Sequence, residues 1–232
     1  MKRVVVTGMS AITALGDNWQ DFEQSLKIKK NAVKIDEKLI EIDGLHTNLS
    51  APILDFEKPD HYKRKQVRSM GRVSLMATRA TEVALEQADL LNDRYFKSGR
   101  MGIAYGSSTG STSPIIGFGD LLKTGNMSGV TATSYIKMMS HTTAVNIGVF
   151  FGISGRVYTT SSACTSGSQA IGYAYEAIKF GKQEIMIAGG AEELCPSEVA
   201  VFDTLYATST ENEHPELTPK PFDKNRDGLV IG

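Results

Sequence analysis

Apolar positions fall into two periods along this chain: short runs that alternate or are continuously hydrophobic, and longer stretches that repeat every three to four residues. Met101–Tyr105, Arg156–Thr160 and Glu184–Ala188 read as strands, and Val4-Val5-Val6 places a buried first strand at Arg3–Thr7. Between the strands the helical period dominates. Trp19, Phe22 and Leu26 share one face behind a cap at Asp17 or Asn18. Met70, Val73, Met76, Ala77, Ala80, Ala84 and Leu85 share another. Further helices are predicted at Pro114–Lys123, at Tyr135–Phe151, which is apolar on several sides, from near Ser166 to Phe180, and at Ser197–Tyr206. Strands that alternate with helices predict an α/β fold. Residues 28–60 show little period and hold Pro52 and Pro59, so they read as a surface excursion with a short strand or hairpin. A loop at Thr208–Pro221 and a short strand at Gly228–Ile231 close the chain.

Composition narrows the class. With 232 residues, 41% of them hydrophobic, the chain can bury one large core or two modest ones. Its net charge of -1 offers nothing global to nucleic acid or to a membrane surface, and no apolar run is long enough for membrane insertion. Cys164 and Cys195 have neither a disulfide framework nor metal-ligand spacing, which fits a reducing, cytoplasmic setting.

The candidate chemistry centres on Ser161-Ser162-Ala163-Cys164-Thr165-Ser166-Gly167-Ser168, between a strand and a helix. A strand that turns abruptly into a helix through small residues holds one side chain outward on the corner. Here that side chain is a thiol. The free N–H groups and positive end of the following helix favour a thiolate, the nucleophilic form. A buried structural cysteine amid tight strand–helix packing is the plainer alternative.

Other segments are weighed against plainer readings. Lys63, Arg64, Lys65, Arg68 and Arg72 follow one another with no acid among them, an isolated positive site suited to an acidic partner, although many such runs are only solvated helix starts. The glycine-rich turn Gly106–Ser111 lacks the Gly-Lys-Ser/Thr ending and the Gly-x-Gly-x-x-Gly spacing of nucleotide loops, so close backbone approach near a pocket is the better reading. Asp223–Gly228 matches only the first half of an EF-hand calcium loop and reads as a turn. Of the adjacent pair Glu192 and Glu193, at most one points inward, and neither is assigned to catalysis. His141 reads as a hydrogen-bonded core residue.

With the cysteine elbow, Ala188-Gly189-Gly190-Ala191-Glu192 and Pro221–Gly228 in place, the chain resembles the β-ketoacyl-acyl carrier protein synthases, condensing enzymes of thiolase-like fold. The likeness runs from Arg3 to Gly232. It implies a layered α/β/α/β/α architecture of which residues 1–232 form the first, N-terminal half, the other half lying outside a sequence that reads as a fragment. It also implies a homodimer, or a heterodimer with a similar subunit, built through the strand before the cysteine. Cys164 would accept an acyl group as a thioester, with its own backbone N–H as one oxyanion donor, and the decarboxylated malonyl group of malonyl-acyl carrier protein would attack it. Lys63, Arg64, Lys65 and Arg68 match the family's acyl carrier protein contacts. No cofactor or metal is implied.

Three departures qualify the resemblance. The loops matching a second basic contact region, Gly125–Val130 and Tyr206–Asn212, carry no lysine or arginine, which points to weaker or differently oriented docking. Thr109 stands at the acyl-pocket position that is commonly isoleucine, which leaves room for an unusual acyl chain. The family's catalytic histidines, a lysine and the second oxyanion donor belong to its second half, and none of His46, His61, His141 or His214 lies in a matching motif. The product is expected to serve fatty acid or polyketide synthesis. The alternatives are a non-catalytic chain-length partner subunit, against which the intact Cys164 argues, and a coenzyme A-dependent thiolase.

Overall fold

The structure, a computed structural model, describes residues 1–91 and 94–232. In chain order its elements begin with α1 (Trp19–Lys27), β1 (Lys34–Ile35), α2 (Glu37–Ile40), β2 (Leu49–Ser50), α3 (Arg64–Val67) and α4 (Arg72–Gln87). They continue with β3 (Met101–Gly106), α5 (Ile115–Thr124), α6 (Ser134–Met138), α7 (Thr142–Phe151), β4 (Val157–Thr160), α8 (Ser166–Lys179), β5 (Ile185–Gly190) and α9 (Pro196–Thr204). These form two compact units, Met1–Ser10 with Glu57–Glu193, and Ala11–Phe56 with Leu194–Gly232.

In the first unit a parallel sheet runs in the order β4-β3-β5. The alternation along β3 decides what packs on each face. Ile103 and Tyr105 cluster with Ala77 of α4 and with Ala144 and Ile147 of α7. On the opposite face, where Gly102, Ala104 and Gly106 leave little bulk, Ala104 meets Ala170 and Ala174 of α8. Large residues thus face two helices and small ones let the third lie close, giving the layered α/β arrangement expected from the sequence. Strand β3 is buried throughout, whereas β5 is only partly so, because its outer edge carries no strand among the described residues. The expectation of a buried Glu184–Ala188 strand is corrected to that extent.

Two other expectations change. No strand forms over Arg3–Thr7. Val5 and Val6 are exposed, and the segment is held by Lys2 N–H on the Lys179 carbonyl and by Met9 N–H on Gln87 Oε1. Apolar propensity cannot make a strand without a partner to pair with. The single helix expected over Tyr135–Phe151 is two, because Met139 turns extended and the Thr142 hydroxyl donates toward the Ile136 and Met139 carbonyls, 2.6 Å from each. His141 consequently sits exposed at the N-cap of α7 rather than in the core.

The second unit is built on short elements. Asn18 caps α1 by accepting from Asp21 N–H at 2.9 Å, but the buried side chain of that helix is Ser25, and Trp19 and Leu26 remain exposed. Strands β1 and β2 pair antiparallel, and Leu39, Thr47, Leu49 and Ser50 from the region expected as an excursion are buried. Isolated bridges Ser50–Ile231 and Thr208–Leu229 take the place of a continuous terminal strand. Asp203 gathers the unit's polar interior. It accepts from the backbone N–H groups of His46 and Thr47 and from the Thr208 hydroxyl, and its Oδ2 lies 2.8 Å from His46 Nδ1. Burial pushes its carboxyl up, but these bonds outweigh burial and hold it at about 2.

Candidate active site

The carboxyl ends of β4, β3 and β5 lead into three neighbouring loops, 161–165, 107–112 and 191–193. This is where open parallel sheets present their reactive groups.

The first loop is the elbow. Ala163 adopts a left-handed φ of 51°, a conformation costly for a side chain with a Cβ, and so swings the chain from strand to helix within a few residues. Hydroxyls fix the turn. Ser166 Oγ donates to the Ala163 carbonyl at 2.6 Å and accepts from Ser162 N–H at 2.8 Å. Thr165 turns its hydroxyl back to the Ser162 carbonyl at 2.7 Å instead of capping α8. Thr160 Oγ1 donates to the Ser166 carbonyl at 2.8 Å, tying the end of the strand to the start of the helix. Cys164, at the apex, is a free and exposed thiol. Within these residues the thiol is not the buried structural cysteine of the plainer reading.

Absence of bulk lets the elbow sit on the sheet. A Cβ on Gly106 would fall 2.6 Å from the Ser166 carbonyl carbon and oxygen, and one on Gly190 would fall 2.9 Å from Gly167 Cα. Each glycine is required by space at a close backbone approach.

Thr109 lies in the second loop and is exposed. That loop meets the elbow where Ser107 N–H donates to the Thr160 carbonyl at 3.2 Å and Ser161 Oγ approaches the Ser108 carbonyl at 3.5 Å. Its shape is set by the two glutamates of the third loop. Glu192 accepts from the Ser107 hydroxyl at 3.2 Å, from Ser108 N–H and from the Thr109 hydroxyl at 3.3 Å. Glu193, buried, accepts from Thr112 N–H at 2.8 Å and from its hydroxyl at 3.1 Å. One carboxylate points in and its neighbour out, as adjacent positions require. With Glu192 filling the turn, the donors that a nucleotide phosphate would need are already engaged, which argues against that reading of Gly106–Ser111. The glutamates' structural role was invisible in sequence because their partners lie some eighty residues away; the only local signal was a carboxylate pair directly after a strand ending in Gly189-Gly190.

Lys63, Arg64, Lys65 and Arg68 form a separate exposed group, on α3 and its flanks ahead of α4. The structure thus brings Cys164 and Thr109 to one end of the sheet and puts the basic residues on another element of the same unit. The four histidines are placed elsewhere: His46 on Asp203, His61 on Glu82, His214 on Glu216 and His141 at the start of α7. Asp227, from the partial calcium-loop match, accepts from the Ser209 hydroxyl at 2.8 Å and from Thr210 N–H at 2.9 Å. Among the described residues no group of three or more histidine, cysteine, aspartate or glutamate side chains gathers to hold a metal, and no helix is long and apolar enough to cross a membrane.

Comparison with known proteins completes the picture. The family model described as Beta-ketoacyl synthase, N-terminal domain, matches residues 1–232. The 3-oxoacyl-(acyl-carrier-protein) synthase 1 of Buchnera aphidicola subsp. Baizongia pistaciae is 34% identical over 233 residues, which cover 100% of this chain and 57% of that protein. The enzyme of the same name from Escherichia coli K12 is 31% identical with the same coverage. Among solved structures, a β-ketoacyl synthase from Burkholderia phymatum STM815 superposes with a TM-score of 0.96 at 56% identity, covering 100% of this chain and 57% of that one. The AntDE:AntF complex, a type II PKS acyl-carrier protein with its ketosynthase, matches at a TM-score of 0.78 and 27% identity, covering 99% and 55%. The chain therefore spans little more than half the length of the relatives it matches.

Proposed function

Because the chain belongs to the β-ketoacyl synthase family, matching its N-terminal domain across residues 1–232, we propose that it takes part in decarboxylating condensation of an acyl thioester with malonyl-acyl carrier protein. Its layered α/β sheet is that of the thiolase-like ketosynthases, the fold expected from the sequence. The observation that carries the functional reading is the exposed thiol of Cys164 at the apex of a strand–helix elbow.

Cys164 sulfur attacks the carbonyl carbon of an acyl-carrier thioester, and the carrier thiol leaves as the new thioester forms. The Cys164 backbone N–H serves as one donor to the intermediate oxyanion. Malonyl-carrier then loses carbon dioxide, and the resulting carbanion equivalent attacks the Cys164 thioester. A β-ketoacyl-carrier is released and the thiol is restored. Thr109 contributes to the acyl pocket, and Lys63, Arg64, Lys65 and Arg68 receive an acidic helix of the acyl carrier protein.

The similar AntDE:AntF complex, in which an acyl-carrier protein sits with its ketosynthase, supports that partner. The outer edge of β4, which bears no strand among the described residues, supports pairing with a second subunit of the same or a similar kind. Two free thiols suit work in the cytoplasm.

Incubation with an acyl-acyl carrier protein should add the acyl mass to the peptide containing Cys164, and not to the one containing Cys195. A Cys164→Ala variant that still became acylated would end this reading. For docking, Lys65→Glu with Arg68→Glu should raise the KM for acyl-carrier protein at low salt; unchanged transfer would refute the assignment of the patch.

A further inference from the structure

The four-residue helix α3 has little reason to stand by itself. It is far shorter than a self-supporting helix, its first turn holds no acid, and Arg64 and Lys65 set positive charge against the positive end of its own dipole. No aspartate or glutamate occurs between Asp60 and Glu82, so nothing within the segment balances Lys63, Arg64, Lys65 and Arg68. Its geometry must be imposed from outside.

The hold at its C-terminal side is neutral. Ser69 Oγ donates to Asn146 Oδ1 of α7 at 2.9 Å, and Gly71 lies so near Ser111 that an added Cβ would fall 2.3 Å from Ser111 Cβ. The hold at its N-terminal side is a buried carboxylate. Glu82 of α4, buried, has Oε1 2.7 Å from His61 Nε2, while its Oε2 accepts from Tyr62 Oη at 3.1 Å and from Arg79 Nη1 at 2.5 Å. Burial pushes this carboxyl up, yet the hydrogen bonds from His61, Arg79 and Tyr62 outweigh burial and leave it below the usual range. Burial and the neighbouring Glu82 charge in turn push the Tyr62 phenol up. The Tyr62 ring is buried and tilted against Phe150 of α7 with centroids 4.5 Å apart, and Lys58 Nζ donates to the Tyr62 carbonyl at 3.1 Å.

We propose that Glu82 is a positioning residue for carrier-protein docking: by gripping His61 and Tyr62 it fixes the backbone from which Lys63, Arg64, Lys65 and Arg68 are displayed. The proposal rests on the docking role given to that patch above. Glu82 touches neither the acyl group nor Cys164. Its effect is on preorganisation, since basic side chains on a loose segment must be ordered at the moment of binding and lose affinity by that cost.

Glu82→Gln keeps the size and one oxygen but gives up the second of the two carboxylate oxygens on which His61, Tyr62 and Arg79 converge. In transfer from acyl-acyl carrier protein to Cys164, the KM should rise by about tenfold while the rate at saturating carrier changes by less than about twofold. Alkylation of Cys164 by iodoacetamide, which needs no docking, should be unchanged. Hydrogen exchange should quicken at amides 61–69 and not in β3. Tyr62→Phe, which removes one donor without touching the carboxylate, should quicken the same amides by a smaller factor, and it serves in place of Glu82→Gln if that protein does not fold.

The proposal is overturned if exchange at 61–69 stays at the wild-type rate, if KM does not move, or if β3 exchange and iodoacetamide alkylation rise together with KM, which would mark general destabilisation. Lys65→Glu with Arg68→Glu separates it from the docking reading. If that pair raises KM and Glu82→Gln does not, only the positioning role falls. If neither raises KM, the docking surface falls and takes this role with it.

Discussion

Gly106→Ala tests whether the close seating of the elbow on the sheet is what presents Cys164. The added methyl would lie 2.6 Å from the Ser166 carbonyl carbon and oxygen and 2.7 Å from Thr160 Oγ1, all in the joint between β4 and α8. None of these is the far end of a flexible side chain free to swing away. Relief requires the first turn of α8 to lift, which also stretches the 2.8 Å bond from Thr160 Oγ1 to the Ser166 carbonyl. Overpacking of this kind costs about 1–3 kcal/mol, and losing the hydrogen bond adds about 1 kcal/mol. Removing a glycine from a strand returns roughly 0.5–1 kcal/mol. The net loss is about 1–3.5 kcal/mol, or a fall in Tm of roughly 2–14 °C for a chain of this size. Because the residue that lifts is two positions from the proposed nucleophile, acyl transfer to Cys164 should drop by about a hundredfold, the usual consequence of displacing a reacting group by about 1 Å. Gly167→Ala is the control, since its methyl would come no nearer than 3.5 Å, to Gly190 Cα, and alanine suits a helix better by about 1 kcal/mol. It should melt at or above the wild-type temperature. Thermal unfolding followed by circular dichroism, with acylation measured by mass, decides the matter. A Gly106→Ala protein that melts within about 2 °C of wild type, or a Gly167→Ala protein less stable than it, would refute the close-approach argument.

Two further outcomes follow from the geometry. Asp203, with its carboxyl held at about 2 against an ordinary value near 4, contributes about 2 kcal/mol of stability that is complete above roughly pH 5 and is lost as pH falls through about 2; urea unfolding from pH 6 to pH 2 should show the gap between wild type and Asp203→Asn closing over that span, and a constant gap would sink the assignment. Ala163→Gly should leave stability unchanged or raise it by up to about 1 kcal/mol, because glycine accepts the φ of 51° without the Cβ clash, whereas Ala163→Val should lower it; a measurable loss in the glycine variant would mean that the alanine methyl makes packing contacts that outweigh the strain.

How much of this was legible in the sequence depended on how far each residue's partner lies along the chain. The elbow could be read because its chemistry is local: strand, small residues, thiol and helix occupy one short stretch, and the hydroxyls that fix the turn sit within six residues of the groups they bond. The α/β alternation was legible for the same reason, as was the opposite orientation of Glu192 and Glu193. Val4–Val6 misled because a strand is made by its neighbour, and three valines do not say whether one is there. The break between α6 and α7 was hidden because a single hydroxyl, that of Thr142, competes for carbonyls that the apolar period assigns to one continuous helix. The bracing roles of the two carboxylates that matter most for shape, Glu192 and Glu82, could not be read, since their donors lie 83–85 and up to 21 residues away. Residues that react tend to be announced by the turn that holds them, while residues that hold a turn from afar look like ordinary surface charge. Mutagenesis guided by the sequence would go to Cys164 and the lysines; the supports on which their placement depends emerge only when distant segments are brought together.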